Sequence, residues 1–164
     1  PSLHAEALAF ARERHLNVTI HASEPPDLEL ISDALAHGAH RIGHGVRLQA
    51  DMEIRDGEVI AMGPLARYVL DRQVPLEVAP TCHVHVGAVP DLASHPVGPM
   101  LRAGFDVSIN TDNRLMSNVM PSSELRAVTE TFGLSDDEQR RLVVNGVMAG
   151  FAPIELRRRL VADL

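Results

Sequence analysis

The fold is decided by Asn17-Val-Thr-Ile-His-Ala-Ser-Glu24, in which a β-branched run leads directly into an imidazole and a carboxyl group. Two later stretches share this construction, Arg41-Ile-Gly-His-Gly45 and Ser108-Ile-Asn-Thr-Asp-Asn113. Each places polar side chains at the carboxyl end of an apolar strand. A (β/α) barrel builds its site from such strand ends, which come from distant parts of the chain. The three stretches therefore predict parallel α/β structure with a site at one rim.

Helical and strand patterns alternate along the whole chain. Apolar residues at helical spacing predict helices at residues 3–11, 28–35, 65–72 and 100–104. Alternating or β-branched runs predict strands at residues 17–20, 41–42, 75–78 and 105–109. Loops are expected around Asp56-Gly57 and from the third strand to about Val97. The tail is predicted to be helical, because Ser135 and Glu138 have the spacing of a capping box. This fourfold alternation is typical of a parallel sheet covered by helices.

Composition limits the classes of protein to consider. The chain has 164 residues, of which 45% are apolar and 23% charged, so we expect one globular domain over residues 1–164. The net charge of −7 argues against a nucleic-acid partner. The lone Cys82 excludes an internal disulfide and fits a reducing compartment. The chain has no run of about 20 apolar residues and no signal-peptide pattern, so we expect no membrane contact and a cytoplasmic location. Its start at Pro1 is expected to reflect an excised or truncated N-terminus.

In order and spacing, the three stretches resemble the motifs of the adenosine deaminase family. That family has a His-Ala-Gly-Glu run, a Gly-His-Gly run and a Thr-Asp-Asp run at the ends of its fifth, sixth and eighth barrel strands. Residues 76–89 resemble its seventh-strand segment, and the resemblance extends from residue 1 to about residue 151. A complete barrel needs about 250 residues. The resemblance therefore implies a partial TIM-type (β/α) barrel, corresponding to strands 5–8 plus C-terminal helices.

The resemblance also implies a reaction, the hydrolytic deamination of adenosine or a related 6-aminopurine nucleoside to inosine and ammonia by a zinc-activated water. By position, it assigns zinc binding to His21 and Asp112 and protonation of the purine ring to Glu24. It assigns to His44 the orientation and deprotonation of the metal-bound water. Asn113 would contact a purine ring nitrogen, alongside Glu24.

Several residues depart from the family pattern. Ser23 replaces a glycine, and Asn113 replaces the commoner second aspartate; its amide donates a hydrogen bond without first being protonated. In the seventh-strand segment, four residues stand where Cys, Ser, Asn and usually Gln would stand: Ala79, Cys82, His83 and His85. Cys82 is expected to be buried rather than reactive.

The remaining histidines are expected to have no role in the site. A strand would place both imidazoles of His83-Val-His85 on one face, but the family's own metal-binding His-x-His lies on its first strand, so no metal role is expected here. His37 and His40 flank Gly38 at a helix end, where imidazole suits the helix dipole. Surface positions are expected for His4, His15 and His95.

Three of these assignments have a simpler interpretation. A strand-end histidine such as His21 is often only hydrogen-bonded, and Glu24 precedes a helix whose N-terminus favours a carboxylate. Gly43 and Gly45 on either side of His44 also suit a tight turn.

The zinc ligand set is incomplete, because no first-strand His-x-His precedes His21. Zinc normally has three or four protein ligands. The isolated chain is therefore expected to be inactive or nearly so, and the alternative function is a catalytically inactive fragment that acts as a binding or assembly module. Half a barrel has two open sheet edges, so a homo-oligomer or a complementing N-terminal half is expected to cover them. A free base or another 6-aminopurine remains open as substrate.

Overall fold

The fold is that of a parallel sheet backed by helices. The computed structural model of the chain describes residues 1–23 and 25–164. The strands are β1 (Thr19–Ala22), β2 (Arg41–His44), β3 (Met52–Arg55), β4 (Glu58–Met62), β5 (Leu76–Val78) and β6 (Val107–Ile109). Strands β1, β2, β5 and β6 lie side by side in that order, and every neighbouring pair is parallel. The predicted parallel α/β class is confirmed.

Helices connect the strands and form the tail. They are α1 (Ala5–Glu13), α2 (Glu29–Ala36), α3 (Pro64–Asp71), α4 (Pro80–His85), α5 (Val97–Arg102), α6 (Arg114–Ser117), α7 (Pro121–Phe132), α8 (Asp136–Ala149) and α9 (Ile154–Ala162). Short 3-10 helices cover Ser2–His4 and Val46–Asp51. The predicted capping box is confirmed, because the Ser135 Oγ accepts from the Glu138 N–H and the Glu138 carboxylate accepts from the Ser135 N–H. Within the described ranges, no helix combines the length and apolar character needed to cross a membrane.

One face of the sheet forms the hydrophobic core. The strand register aligns four buried apolar residues in one row across the sheet: Ile20, Ile42, Leu76 and Val107. Helices pack against this row, and buried side chains such as Ile31 of α2 and Met100 of α5 belong to the same cluster. Because strand side chains alternate between faces, the residues between these core positions lie on the opposite face.

That opposite face carries polar residues. The register places His21, Gly43, Glu77 and Ser108 in one row. Arg41 lies on the same face, two residues before Gly43 in β2. Its Nε donates to the Thr19 Oγ1 at 2.9 Å and lies 3.3 Å from a Glu77 carboxylate oxygen. The guanidinium also donates to the Ala149 carbonyl at the end of α8. Polar side chains therefore line the face that a complete barrel would enclose.

Two predicted loops contain regular structure. The Asp56-Gly57 turn joins β3 to β4 in an antiparallel hairpin, and both turn residues have a positive φ, as tight hairpins require. The segment expected to be a loop up to Val97 contains α4. Proline at its first position is compatible with a helix, because that N–H has no partner within the helix. Both elements are short, so periodicity alone does not reveal them.

Asp106, immediately before β6, is expected to destabilise the protein at neutral pH. Burial raises the pKa of its carboxyl from 3.8 to about 6, so the native state holds the proton more tightly than the unfolded chain does. The free energy of unfolding should therefore fall as the pH rises from about 4 to about 6 and then level off. Asp106→Asn should remove this dependence. The free energy of unfolding of the variant relative to the parent should be about 1–2 kcal/mol higher at pH 7 than at pH 4, after allowance for solvent screening.

Urea denaturation of both proteins between pH 4 and 7 measures this difference. Asp91→Asn is the matched control with the opposite sign, because hydrogen bonds from Ser94 lower the pKa of the Asp91 carboxyl. Loss of that carboxylate should cost stability at neutral pH, and the cost should vanish as the pH falls. A constant offset between Asp106→Asn and the parent chain at every pH would refute the expectation.

Candidate active site

The carboxyl ends of the strands bring candidate residues together at one rim. The rings of His21, at the end of β1, and His44, at the end of β2, lie with their centroids 4.4 Å apart. A cavity of about 210 Å³ opens beside them and is lined by Gly43, His44, Glu77, Ala79, Asn110 and Asp112. His44 and Asp112 thus border the same space, although 67 residues separate them in the printed sequence. Glu24 lies outside the described residues.

The backbone of this rim is held in an unusual conformation. Ser23, His44 and Asp112 all have positive φ angles, of 74°, 70° and 48°. Side chains other than glycine rarely adopt this region, and such strain occurs at sites whose surroundings enforce it. The φ angle of Ser23 is one that glycine adopts without strain. Ser23 is fully buried, and its Oγ accepts a hydrogen bond from the Arg47 N–H at 3.2 Å.

The two glycines beside His44 are required by packing. A Cβ on Gly43 would lie 3.3 Å from the His21 Cα, so this glycine lets β1 and β2 pack closely. A Cβ on Gly45 would lie 2.8 Å from a Leu76 methyl, and the φ of Gly45 is positive as well. The turn interpretation is therefore supported for Gly45, whereas Gly43 allows the close packing of β1 and β2.

Asp112 has a buried thiol as its neighbour. The Cys82 Sγ donates to the Asp112 Oδ2 at 3.0 Å, which links α4 to the loop after β6. The expectation that Cys82 is buried is confirmed. The thiol donates to the carboxylate here, as a hydroxyl would in its place.

Three histidines form a continuous hydrogen-bonded chain behind the rim, which we call the histidine relay: His44, His83 and His95. The His44 Nδ1 lies 2.8 Å from the His83 Nε2, and the His83 Nδ1 lies 2.8 Å from the His95 Nε2. The Val97 N–H donates to the His95 Nδ1 at 3.1 Å. The expectation that His95 lies at the surface is wrong, because only 1% of it is exposed. Sequence spacing does not reveal this contact, since it depends on how α4 and the loop before α5 pack.

Burial keeps the inner members of the relay uncharged. Burial, with neighbouring His95 and His44 as smaller causes, lowers the pKa of His83 from 6.5 to about 2. Burial also lowers the pKa of His95 to about 3. Both rings are therefore neutral at pH 7.

The other histidines are separate from this site. His83 and His85 lie on helix α4, not on a strand. Residues two positions apart on a helix point in different directions, and here His83 is buried while His85 is exposed. His4 and His15 are exposed, as expected. His37 forms the C-terminal cap of α2, and its ring lies 2.8 Å from the Asp33 carbonyl.

Asn113 stands next to the site in sequence but does not line the cavity. It is the N-cap of α6, and its Oδ1 accepts from the Met116 N–H at 3.1 Å. This bond leaves the Nδ2 group as the donating end of the side chain.

The described residues do not form a complete metal site. Among residues 1–23 and 25–164, no group of three or more His, Cys, Asp or Glu side chains is arranged to hold a metal ion. Zinc normally requires three or four protein ligands. His21 and Asp112 therefore need ligands from elsewhere to hold zinc.

Comparisons with known proteins match the whole chain to a single family. Residues 1–164 match the family described as adenosine deaminase. The adenosine deaminase of Mycobacterium marinum is 36% identical over 165 residues, covering 100% of this chain and 46% of that protein. That of Mycobacterium ulcerans is 38% identical over 166 residues, with the same coverage of 100% and 46%. The chain thus spans about half the length of the curated relatives it matches.

Solved structures match the fold. An adenine deaminase from Arthrobacter aurescens superposes with a TM-score of 0.87 at 26% identity, covering 97% of this chain and 46% of that one. An amidohydrolase from Burkholderia ambifaria with bound Zn superposes with a TM-score of 0.81 at 21% identity, covering 99% and 43%. These superpositions confirm the predicted partial barrel.

Proposed function

The chain belongs to the adenosine deaminase family, and we propose on that premise that it supplies half of a site for the hydrolytic deamination of adenosine. The observation that carries this proposal is the shared rim, where His21 and His44 are adjacent and His44 borders one cavity with Asp112. The relatives that are 36–38% identical are named adenosine deaminases, which favours the nucleoside as substrate. The solved structure at 26% identity is an adenine deaminase, so the free base is the second candidate.

The reaction needs a water to attack the carbon that bears the amino group and a proton to reach the adjacent ring nitrogen. The family pattern gives that proton transfer to Glu24, a role that requires a carboxyl whose pKa burial has raised. His44 hydrogen-bonds the attacking oxygen and holds it in position. Asn113 donates from Nδ2 to a purine nitrogen that can only accept, since its Oδ1 is engaged by the α6 backbone.

Zinc belongs to the proposal as a shared cofactor. His21 and Asp112 would be its two ligands from this chain, which is fewer than zinc normally takes. The missing ligands would come from the part of the barrel that this chain lacks. The isolated chain is then inactive, and its own residues position substrate and water only in the completed barrel.

The open edges of the sheet are the proposed attachment points. Strand β1 pairs only with β2, and β6 pairs only with β5, within the part of the chain that the structure describes. Unpaired parallel edges favour the addition of further strands. We propose a complementing N-terminal half as the partner that closes the barrel, with self-association as the alternative. A cytoplasmic location is part of the same proposal, because the lone thiol Cys82 suits a reducing compartment.

Complementation tests this proposal directly. The chain is mixed with the N-terminal half of an adenosine deaminase relative in the presence of zinc, and adenosine turnover is followed by ultraviolet absorbance. We expect no turnover from either half alone and turnover from the mixture. Glu24→Gln in the mixture should lose about 10²–10⁴ of kcat/KM, since it removes a general acid. Glu6→Gln, an exposed carboxyl on α1, is the matched control and should retain activity.

Light scattering shows whether the two halves associate. A stable complex that binds zinc yet turns over neither adenosine nor adenine would contradict the deaminase proposal and favour an assembly module. Turnover that survives Glu24→Gln would contradict the assigned chemistry. A chain that stays monomeric and does not bind the added half would contradict the proposed closure of the barrel.

A further inference from the structure

We propose that His83 and His95 are positioning residues that fix His44 in the tautomer with its proton on Nε2, so that His44 donates a hydrogen bond at the rim. The inference deepens the proposed function, and its consequence for deamination rests on that function. The directions of the hydrogen bonds do not depend on the proposed function, because they follow from the contacts within the relay.

The relay is anchored by a backbone N–H. Val97 is the first residue of α5, so its N–H has no acceptor within the helix. It donates to the His95 Nδ1 at 3.1 Å. A backbone N–H can only donate, so this nitrogen of His95 accepts and carries no proton. The neutral His95 ring must then hold its proton on Nε2.

The direction passes from ring to ring. The His95 Nε2–H donates to the His83 Nδ1 across 2.8 Å, so the neutral His83 ring holds its proton on Nε2. That Nε2–H in turn donates to the His44 Nδ1 across 2.8 Å. A second proton on His83 would bring two N–H groups face to face and bury a charge. Full burial of His83 disfavours that state.

The consequence falls on His44. Since its Nδ1 accepts from His83, the neutral ring carries its proton on Nε2. The reversed set of tautomers would place a proton on the His95 Nδ1, directly facing the Val97 N–H. In the set that these contacts favour, His44 orients an oxygen at the rim by donating to it from Nε2.

The imidazole at position 83 transmits this direction to His44. A buried neutral imidazole has one donor and one acceptor, and His95 already determines which nitrogen is which.

Nuclear magnetic resonance of the ¹⁵N-labelled chain tests the inference without any activity assay. Long-range ¹H–¹⁵N correlations at pH 7 report which ring nitrogen carries the proton. We expect Nε2–H forms for His44, His83 and His95, and ¹⁵N–¹⁵N couplings across the two 2.8 Å hydrogen bonds. A proton on the His44 Nδ1, or couplings missing from the folded chain, would overturn the inference.

Two matched variants on α4 complete the test. His83→Ala leaves no side-chain donor beside the His44 Nδ1, so it should abolish both couplings and bring out the Nδ1–H form of His44, whereas His85→Ala, at an exposed position, should change neither. An unchanged His44 pattern in a folded His83→Ala chain would also overturn the inference. Intact couplings with an inactive complemented enzyme would count against the proposed function alone.

Discussion

His44→Ala is expected to lower kcat/KM of the complemented enzyme by about 10²–10³-fold, which is the usual loss when one preorganised hydrogen-bond donor is removed from a site. The loss should fall mainly on kcat, because His44 is proposed to hold the attacking oxygen and not the purine. Its ring borders the cavity shared with Asp112 and lies against His21. Steady-state adenosine kinetics of the complemented protein measure the effect.

The substitution also leaves the relay without its last acceptor. An unsatisfied buried N–H on His83 costs about 1–3 kcal/mol, so urea denaturation must accompany the kinetics. His4→Ala, an exposed histidine on the first 3-10 helix, is the matched control and should retain both stability and activity. A loss below tenfold in a folded His44→Ala protein would show that this imidazole has no part in the reaction.

Phe105→Ala is expected to cost about 3–5 kcal/mol of folding free energy. Phe105 leads into β6, is only 1% exposed and belongs to the main core cluster. Removing its ring leaves a cavity within that cluster. Natural domains have about 5–15 kcal/mol of stability in total, so the variant should be largely unfolded at moderate urea concentrations.

Phe10→Ala makes the same substitution at an exposed position and is the comparison. Phe10 lies on α1 with 53% of its surface exposed, and its ring stacks with the Arg14 guanidinium. Loss of a largely exposed ring should cost under about 1 kcal/mol. Equal shifts of the urea midpoint for both variants would mean that the core does not lie on the helix-covered face of the sheet.

The strained rim and the well-packed core have different physical origins. Three rim residues hold positive φ angles, while the apolar row from Ile20 to Val107 follows regular parallel pairing. Strain of this kind costs about 1–3 kcal/mol per residue and persists only where packing enforces it. Of these three residues, Ser23 and His44 are buried, so the packing around them offsets their strain.

The sequence by itself determined the parallel α/β class, the strands β1, β2, β5 and β6, and the family. These follow from local patterns, because β-branched runs, caps and short motifs carry their information within about ten residues. It also located His21, His44 and Asp112 at strand ends, where parallel strands bring their carboxyl termini to one rim. Their catalytic and metal-binding roles stay predictions, as do those of Glu24 and Asn113.

Only the tertiary structure decided which side chains touch. His95 was expected at the surface, yet it is buried against His83, because the helix α4 and the start of α5 pack behind the rim. The hairpin of β3 and β4 and the helix α4 were also hidden, since short elements leave little periodicity. A hydrogen-bond relay joins residues up to 51 positions apart, from His44 to His95. Such contacts arise from the packing of whole elements, and no local pattern in the chain encodes them.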